Sequence, residues 1–346
     1  MAELRVLVIG AGAIGTYIGG SLALYDQAEV TYFVRPRTAQ TLRQRGRLVL
    51  QLTDGEHSLP LPSLLETPQQ VTAEAFDLAV LAVKTYHLPG FLESIAPARD
   101  AFPPVLCLLN GVEAEGILAQ TLGAGRVLAG TVTSAVSRRG PGDITLERPR
   151  GIGLAQGHPL VPPLFSACQQ AQLQPRLYAN AAAMKWSKLL TNLTANATSA
   201  ILDLPPAAIY AHPGLVKLEA AMLREALAVM QAQGLPIMDL PGAPVRLLAW
   251  ALRYLPLALL GPVLRKVVGG GRGEKMPSFH IDLHSGRGQT EVDALNGAVV
   301  RYGERLGIPT PVNRLLTETL NGLANGRLSL DTYRHRPEAL LQAWEP

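Results

Sequence analysis

Residues 4–24 read LRVLVIGAGAIGTYIGGSLAL, and the order of residue types in this stretch decides the fold. Residues 4–9 are a short apolar run rich in β-branched side chains. Gly10-Ala11-Gly12-Ala13-Ile14-Gly15 follows, and residues 16–24 carry apolar side chains at helical spacing. Strand, glycine turn and helix in that order are what a dinucleotide site requires. Gly10 permits the tight turn, Gly12 lets the backbone approach a pyrophosphate, and Gly15 lets helix and strand pack closely, with the helix N-terminus facing the phosphates. Residues 10–15 are therefore the expected phosphate cradle, backbone of Ala11, Ala13 and Ile14 included.

Working outward, the end of the next strand, residues 30–34, selects the cofactor. An NAD site usually places Asp or Glu there to accept from the ribose hydroxyl, whereas this chain has Arg35-Pro36-Arg37. A guanidinium fork suits a phosphate and gains nothing from a hydroxyl pair, so Arg35 and Arg37 point to NADP(H). Residues 76–83 (FDLAVLAV) and 105–109 (VLCLL) are continuous apolar runs, as expected of parallel strands covered on both faces. Lys84-Thr85 follows the first and Asn110-Gly111 the second. Both pairs thus fall at the carboxyl ends of strands, where ligands bind in open α/β sheets. Residues 127–135 supply a further strand. Residues 143–146 and 152–154 read as a β-meander closing the domain, followed by a helix over 162–172 and a strand over 174–177.

After a boundary near Ala179 helical patterns take over, giving an α/β dinucleotide-binding domain over 1–179 and an all-helical domain over 180–346. Residues 184–202, MKWSKLLTNLTANATSAIL, read as one helix on which Lys188, Asn192 and Asn196 fall at i, i+4 and i+8 and share a face. Met184, Trp186, Leu189, Leu190 and Leu193 line the other faces, as suits a helix buried on several sides. Residues 215–234 form a long amphipathic helix stopped at Gly234. Residues 240–273 turn to Leu, Pro, Arg and Gly and read as an apolar helical insertion, expected to be mobile near Gly269-Gly270-Gly271. Its charge-free part is broken by Pro256 and Pro262 and is much shorter than the roughly 20 residues a membrane span needs.

Composition narrows the function classes. A chain of 346 residues, 48 % hydrophobic and 17 % charged, is globular and long enough for two domains. Its net charge of +4 is scattered without a basic run, which suits small anions and no nucleic acid. Cys107 and Cys168 stand apart in apolar contexts, so no disulfide framework or thiolate metal site is indicated. The N-terminus runs straight into a strand with no signal-peptide pattern. A reducing cytoplasm is the expected location.

Residues 275–297, KMPSFHIDLHSGRGQTEVDALNG, complete a set of motifs. GAGAIG at 10–15, VKT at 83–85, Asn110-Gly111, the K-x3-N-x3-N line after Trp186, and S-x3-D followed by TEVDALNG match in order and spacing along nearly the whole chain. In these the sequence resembles the ketopantoate reductase (2-dehydropantoate 2-reductase) family, a 6-phosphogluconate-dehydrogenase-like group with a Rossmann domain and an all-helical second domain. The resemblance implies NADPH-dependent reduction of 2-dehydropantoate to pantoate, on the route to pantothenate and coenzyme A. It implies Lys188 as proton donor, with Asn192, Asn196 and Ser278 binding the substrate. Asn110 would touch both cofactor and substrate, Lys84 and Ala135 the cofactor, and Glu291 the cofactor ribose and the lysine. The expected partner is a small 2-oxo acid, with neither nucleic acid nor an integral membrane segment, and a homodimer is compatible with the family.

Three features depart from the family pattern. Gly288-Gln289 stands between Arg287 and Thr290 where one residue is usual. Pro205-Pro206 occupies the place of a polar residue beyond Asn196, and the 240–273 insertion is added. A related NADP-dependent reductase acting on another 2-oxo acid therefore stays open beside the ketopantoate reading. A non-catalytic NADP-binding redox sensor is the alternative from another class, and a lysine and glutamate set beside the nicotinamide argue against it.

Overall fold

A computed structural model describes residues 4–71, 75–264, 275–286 and 288–344. The Gly269-Gly270-Gly271 stretch expected to be mobile and Arg287 of the altered loop lie outside the described residues. The chain divides into two compact units, Met1–Lys185 with Leu240–Ala243, and Trp186–Asp239 with Pro244–Pro346. The sequence places the division near Ala179; the units part within a helix a few residues later.

In the first unit the strands are β1 (Leu4–Ile9), β2 (Ala28–Phe33), β3 (Arg47–Leu52), β4 (Gly55–Pro60), β5 (Ser63–Leu65), β6 (Leu78–Leu81), β7 (Val105–Cys107), β8 (Val127–Val132), β9 (Ala135–Gly140), β10 (Asp143–Arg148), β11 (Ile152–Ala155) and β12 (Pro175–Tyr178). The helices between them are α1 (Ala13–Leu24), α2 (Pro36–Arg45), α3 (Leu88–Ile95), α4 (Ala114–Leu122) and α5 (Val161–Gln170). Eight strands form one sheet in the order β12-β11-β8-β7-β6-β1-β2-β5, parallel from β5 to β8, with β11 antiparallel to β8. Val6, Leu7 and Val8 are fully buried, so both faces of β1 are covered, as its unbroken apolar run demands. Because β1 lies between β2 and β6, the chain order reverses beside it, and the carboxyl end of β1 is the switch point at which such sheets bind ligands.

A second sheet, β4-β3-β10-β9, was not foreseen, and it corrects two expectations. The strand expected over 127–135 ends at Val132, and Ala135 opens β9 instead. The expected meander also fails, since β10 pairs with β9 and β3 in the small sheet while β11 joins β8 in the large one. Helix α1 packs against both sheets. A Cβ on Gly19 would meet Val8 at 2.7 Å and one on Gly20 would meet Leu50 at 2.8 Å, so two successive glycines admit strands on two sides of the helix. Both cysteines are buried, and burial pushes the Cys168 thiol up to about 12, which leaves it inert as a nucleophile.

Helix α6 (Ala181–Leu193) begins where Asn180 Oδ1 accepts from the Ala183 N–H at 2.8 Å. The second unit continues with α7 (Asn196–Leu202), α8 (Pro206–Ile209), α9 (Pro213–Ala232), α10 (Val245–Tyr254), α11 (Leu257–Leu264), α12 (Ser278–Leu283), a π-helix at Asp293–Gly297, α13 (Ala298–Leu306), α14 (Pro311–Ala324) and α15 (Pro337–Trp344). The single helix expected over 184–202 is therefore two helices, broken at Thr194 and Ala195. Ala195 has φ of +48°, a left-handed conformation that costs an L-residue about 1 kcal/mol or more. The cause is Glu219 on α9, which has 0 % exposure. Its carboxylate accepts from the Ala195 N–H at 2.8 Å, the Thr198 hydroxyl at 2.7 Å and the Tyr210 hydroxyl at 3.2 Å. In the 240–273 stretch, α10 and α11 leave Leu247, Trp250, Tyr254, Leu257 and Leu259 exposed. No helix among the described residues is long and apolar enough to cross a membrane.

Glu219→Ala would strand three buried donors at once. At roughly 1 to 3 kcal/mol for each unmet group, the variant should lose at least ~3 kcal/mol of stability, measured by urea unfolding. A loss below ~1 kcal/mol would show that the break at Ala195 is held by something else.

Candidate active site

The glycine turn follows β1 directly. Gly10 has φ of +96° and donates its N–H to Phe33 O at 3.0 Å, which ties the turn to the end of β2. A Cβ on Gly15 would lie 2.0 Å from Gly10 O, so no other residue fits there. On Gly12 a Cβ would meet nothing within 4 Å, and no side chain caps the N-terminus of α1, whose first turn holds no acidic residue. Open space beside a glycine and an uncapped, acid-free helix start fit a bound pyrophosphate. Arg35 caps α2 and Arg37 lies in its first turn, both exposed just past the end of β2, where the adenosine ribose of a dinucleotide is held. The arrangement fits NADP(H).

The other strand ends come together on the same edge. Lys84 is half-buried and opens a 3-10 turn at Thr85–His87, and the Thr85 hydroxyl donates to Asn110 O at 3.0 Å, joining the segment after β6 to the one after β7. Gly111 takes φ of +90° to complete the turn. Arg35 Nη2 and His87 Nε2 are 3.5 Å apart, so the loop after β6 also reaches the end of β2. Ala135 is half-buried at the start of β9.

Sequence reasoning missed Lys185, which is 4 % exposed. Its ammonium donates to Leu109 O at 2.6 Å and Gly130 O at 3.3 Å and lies 2.7 Å from the Glu115 carboxylate. Burial is the largest single influence and pulls its pKa down, but the Glu115 carboxylate and Cys107 together outweigh it and hold the pKa above the ordinary lysine value. Lys185 therefore stays charged and fastens the residue preceding Asn110. Its signal was a lysine between Met184 and Trp186 in an apolar helix, a position that calls for a buried anion.

In the second unit, Lys188 and Asn192 lie half-buried on α6, while Asn196 is the first residue of α7 beyond the break. The shared face expected for all three is thus interrupted. Asn196 donates from Nδ2 to Asn192 O at 3.0 Å and to Ser278 Oγ at 3.3 Å, and its Oδ1 accepts from the Phe279 N–H at 3.0 Å. The structure thereby brings together two residues that lie far apart in sequence, Asn196 and Ser278. Glu291 is 2 % exposed and stands just before the π-helix, a rare element that recurs at functional sites. The same segment carries Asn296, whose Nδ2 donates to Asn313 Oδ1 at 3.1 Å, and Asn313 Nδ2 in turn reaches Glu225 at 2.7 Å. Burial raises the Glu225 pKa against the hydrogen bonds it accepts from Asn313 and Val312. This buried network fixes the π-helix to α9 and α14.

A parallel sheet with its glycine turn at the switch point, followed by a helical unit, defines a Rossmann-fold oxidoreductase. The model described as "Ketopantoate reductase PanE/ApbA" matches residues 6–157 and that for its C-terminal part matches residues 180–324. The chain belongs to this family, and it is an NADP-dependent oxidoreductase. Among curated relatives, a 2-dehydropantoate 2-reductase of Streptococcus pyogenes is 27 % identical over 326 residues, covering 92 % of this chain and 97 % of its own. One of Halobacterium salinarum is 27 % identical, covering 91 % and 97 %. The crystal structure of a PanE/ApbA family ketopantoate reductase from Ralstonia eutropha superposes with a TM-score of 0.78 at 27 % identity, over 94 % of this chain and 99 % of that one. A D-mandelate dehydrogenase solved with NADH and anilino(oxo)acetate shares the fold, with a TM-score of 0.75 at 22 % identity over 93 % and 99 %.

Replacing Arg35 and Arg37 together by Ala should weaken NADPH at least ~10-fold more than NADH, since only the former carries the extra phosphate. Fluorescence titration with both cofactors measures it. Equal weakening would remove these arginines from phosphate recognition.

Proposed function

We propose that the protein reduces 2-dehydropantoate to pantoate. The observation that carries this reading is the Asn196–Ser278–Phe279 hydrogen-bond set, which gathers polar groups of α7 and α12 that the family resemblance assigns to the substrate. Similarity to curated 2-dehydropantoate 2-reductases along both units supports it.

Bound NADPH supplies a hydride to the ketone carbon. The carbonyl π pair then moves to oxygen, and the resulting alkoxide needs a cation beside it that can release a proton. Lys188 does both; its ammonium gives a proton to that oxygen and is later recharged from water. Glu291 orients the ammonium. Asn192, Asn196 and Ser278 hold the substrate's oxygens with groups that do not compete for the proton, and the positioning they provide supplies part of the rate. On the cofactor side the backbone of Gly10, Ala11, Gly12, Ala13, Ile14 and Gly15 holds the pyrophosphate, with Lys84, Asn110 and Ala135 lining the remainder.

Lys188→Ala should lower turnover by roughly 10² to 10⁴ while NADPH affinity changes little. Near wild-type turnover in that variant would sink the assignment, and no turnover of any 2-oxo acid by the wild-type protein would favour a redox sensor.

A second reading, reduction of another 2-oxo acid, is favoured by one observation. Pro206 is buried at the start of α8, next to Pro205, and neither offers a side-chain donor or a backbone N–H to a distal substrate hydroxyl. A site without such a partner does not strongly reject analogues that lack the hydroxyl. Discrimination between ketopantoate and ketoisovalerate should therefore be modest, roughly 10- to 200-fold in kcat/KM with NADPH. A preference above about 10⁴ would mean that another residue replaces the missing hydrogen bond.

A further inference from the structure

At the far end of α7 from Asn196 stands a cluster that the reduction chemistry does not use. Asp203 terminates α7 with φ of +52°, and its Oδ1 lies 2.7 Å from His280 Nε2 on α12. His284 follows four residues later, and the two imidazole rings lie with centroids 4.2 Å apart, tilted at 42° to each other. One ligand atom from each of Asp203, His280 and His284 can be taken so that all lie within 4.8 Å of one another. Two histidines at i and i+4, the first in α12 and the second at its C-cap, joined by a carboxylate from a second element, are a ligand set of the kind zinc sites use.

We propose that Asp203, His280 and His284 form a binding site for a divalent ion of the zinc class, with the remaining coordination filled by water. A hydrogen-bonded His–Asp pair accounts for the 2.7 Å contact but leaves the second imidazole, aimed at the same gap, without a purpose. Zn–N and Zn–O bonds of about 2.0–2.2 Å in a tetrahedron need ligand atoms about 3.3 Å apart, so the ion enters by displacing the shared proton and opening that contact by about 0.6 Å. The other carboxylate oxygen is already committed. Asp203 Oδ2 accepts from Arg334 Nε at 3.0 Å, with His335 Nε2 at 3.7 Å, which fixes the carboxylate so that Oδ1 faces the histidines. The Arg334 charge lowers affinity for any cation, and two imidazole nitrogens among three ligands suit a nitrogen-preferring ion over magnesium or calcium.

The ion would join the end of α7 to α12, the two elements whose other ends meet through Asn196, Ser278 and Phe279. It acts as a staple on the segment that carries Ser278, without touching the reacting atoms.

The test uses tag-free, full-length protein stripped with a chelator. Co2+ is titrated while its d–d absorption is followed, Zn2+ binding is measured by calorimetry, and the melting temperature is recorded with and without Zn2+. The variants are His284→Ala, at an exposed position, and Asp203→Asn, which keeps the left-handed conformation accessible; circular dichroism without metal checks that each folds. Expected are saturable one-to-one binding, tetrahedral cobalt bands, and a higher melting temperature with Zn2+. Each variant should lose at least ~10-fold in affinity, the smallest loss usual for even an outer-shell partner. No saturable binding to wild type, or equal affinity in wild type and both variants, would overturn the site.

Discussion

A single buried carboxylate sets the geometry of the second unit. Glu219 holds the Ala195 N–H and the hydroxyls of Thr198 and Tyr210, and with them a left-handed residue in a run that would otherwise continue as one helix. A continuous helix would set Asn196 in line with Lys188 and Asn192. The break turns it instead toward Ser278 and Phe279, where its amide is used at both ends. Three buried hydrogen bonds outweigh the conformational cost at Ala195, because the alternative leaves buried donors unpaired away from water.

Two lysines one helical turn apart show how environment divides roles. Lys185 has a carboxylate at 2.7 Å and two carbonyls around its ammonium, and its pKa is held above the ordinary value. Such a group keeps its proton, which makes it a poor acid for an alkoxide and a good fastener for the strand ends near Leu109 and Gly130. Lys188 is half-buried on the next turn, and partial exposure suits the proton-donor role proposed for it. The reductase reading thus depends on distinguishing two residues of identical chemistry by what surrounds them.

The parts of the fold legible in the sequence are those fixed by local sterics. Gly15 can be nothing else with Gly10 O 2.0 Å from its Cβ position, and β1, β6 and β7 announce their double burial by unbroken apolar runs. The small sheet was written less plainly. Asp54-Gly55 between alternating residues marks the β3–β4 hairpin, but nothing local tells β10 to pair with β3, whose residues lie nearly a hundred positions earlier. The break at Ala195 was illegible for the same reason. Thr194 and Ala195 are no helix breakers; the instruction comes from Glu219 on another helix.

Cofactor and substrate differ in how far such reasoning reaches. A pyrophosphate is held by backbone and a helix terminus, so the constraint falls on glycines and on the absence of acids, and these survive as a readable string. In the proposed site a 2-oxo acid would be held by side chains gathered from α6, α7 and α12, whose relation depends on buried groups elsewhere. Relatives 27 % identical can keep the chemistry of reduction while altering the few contacts that meet the rest of the substrate. In the proposed site the Pro205-Pro206 pair, of which Pro206 is buried, would be such a change: it would leave ketone, hydride and proton donor untouched and alter only what the distal end of the acid meets. Reaction class and substrate identity therefore rest on different residues, and evidence for the first carries little information about the second.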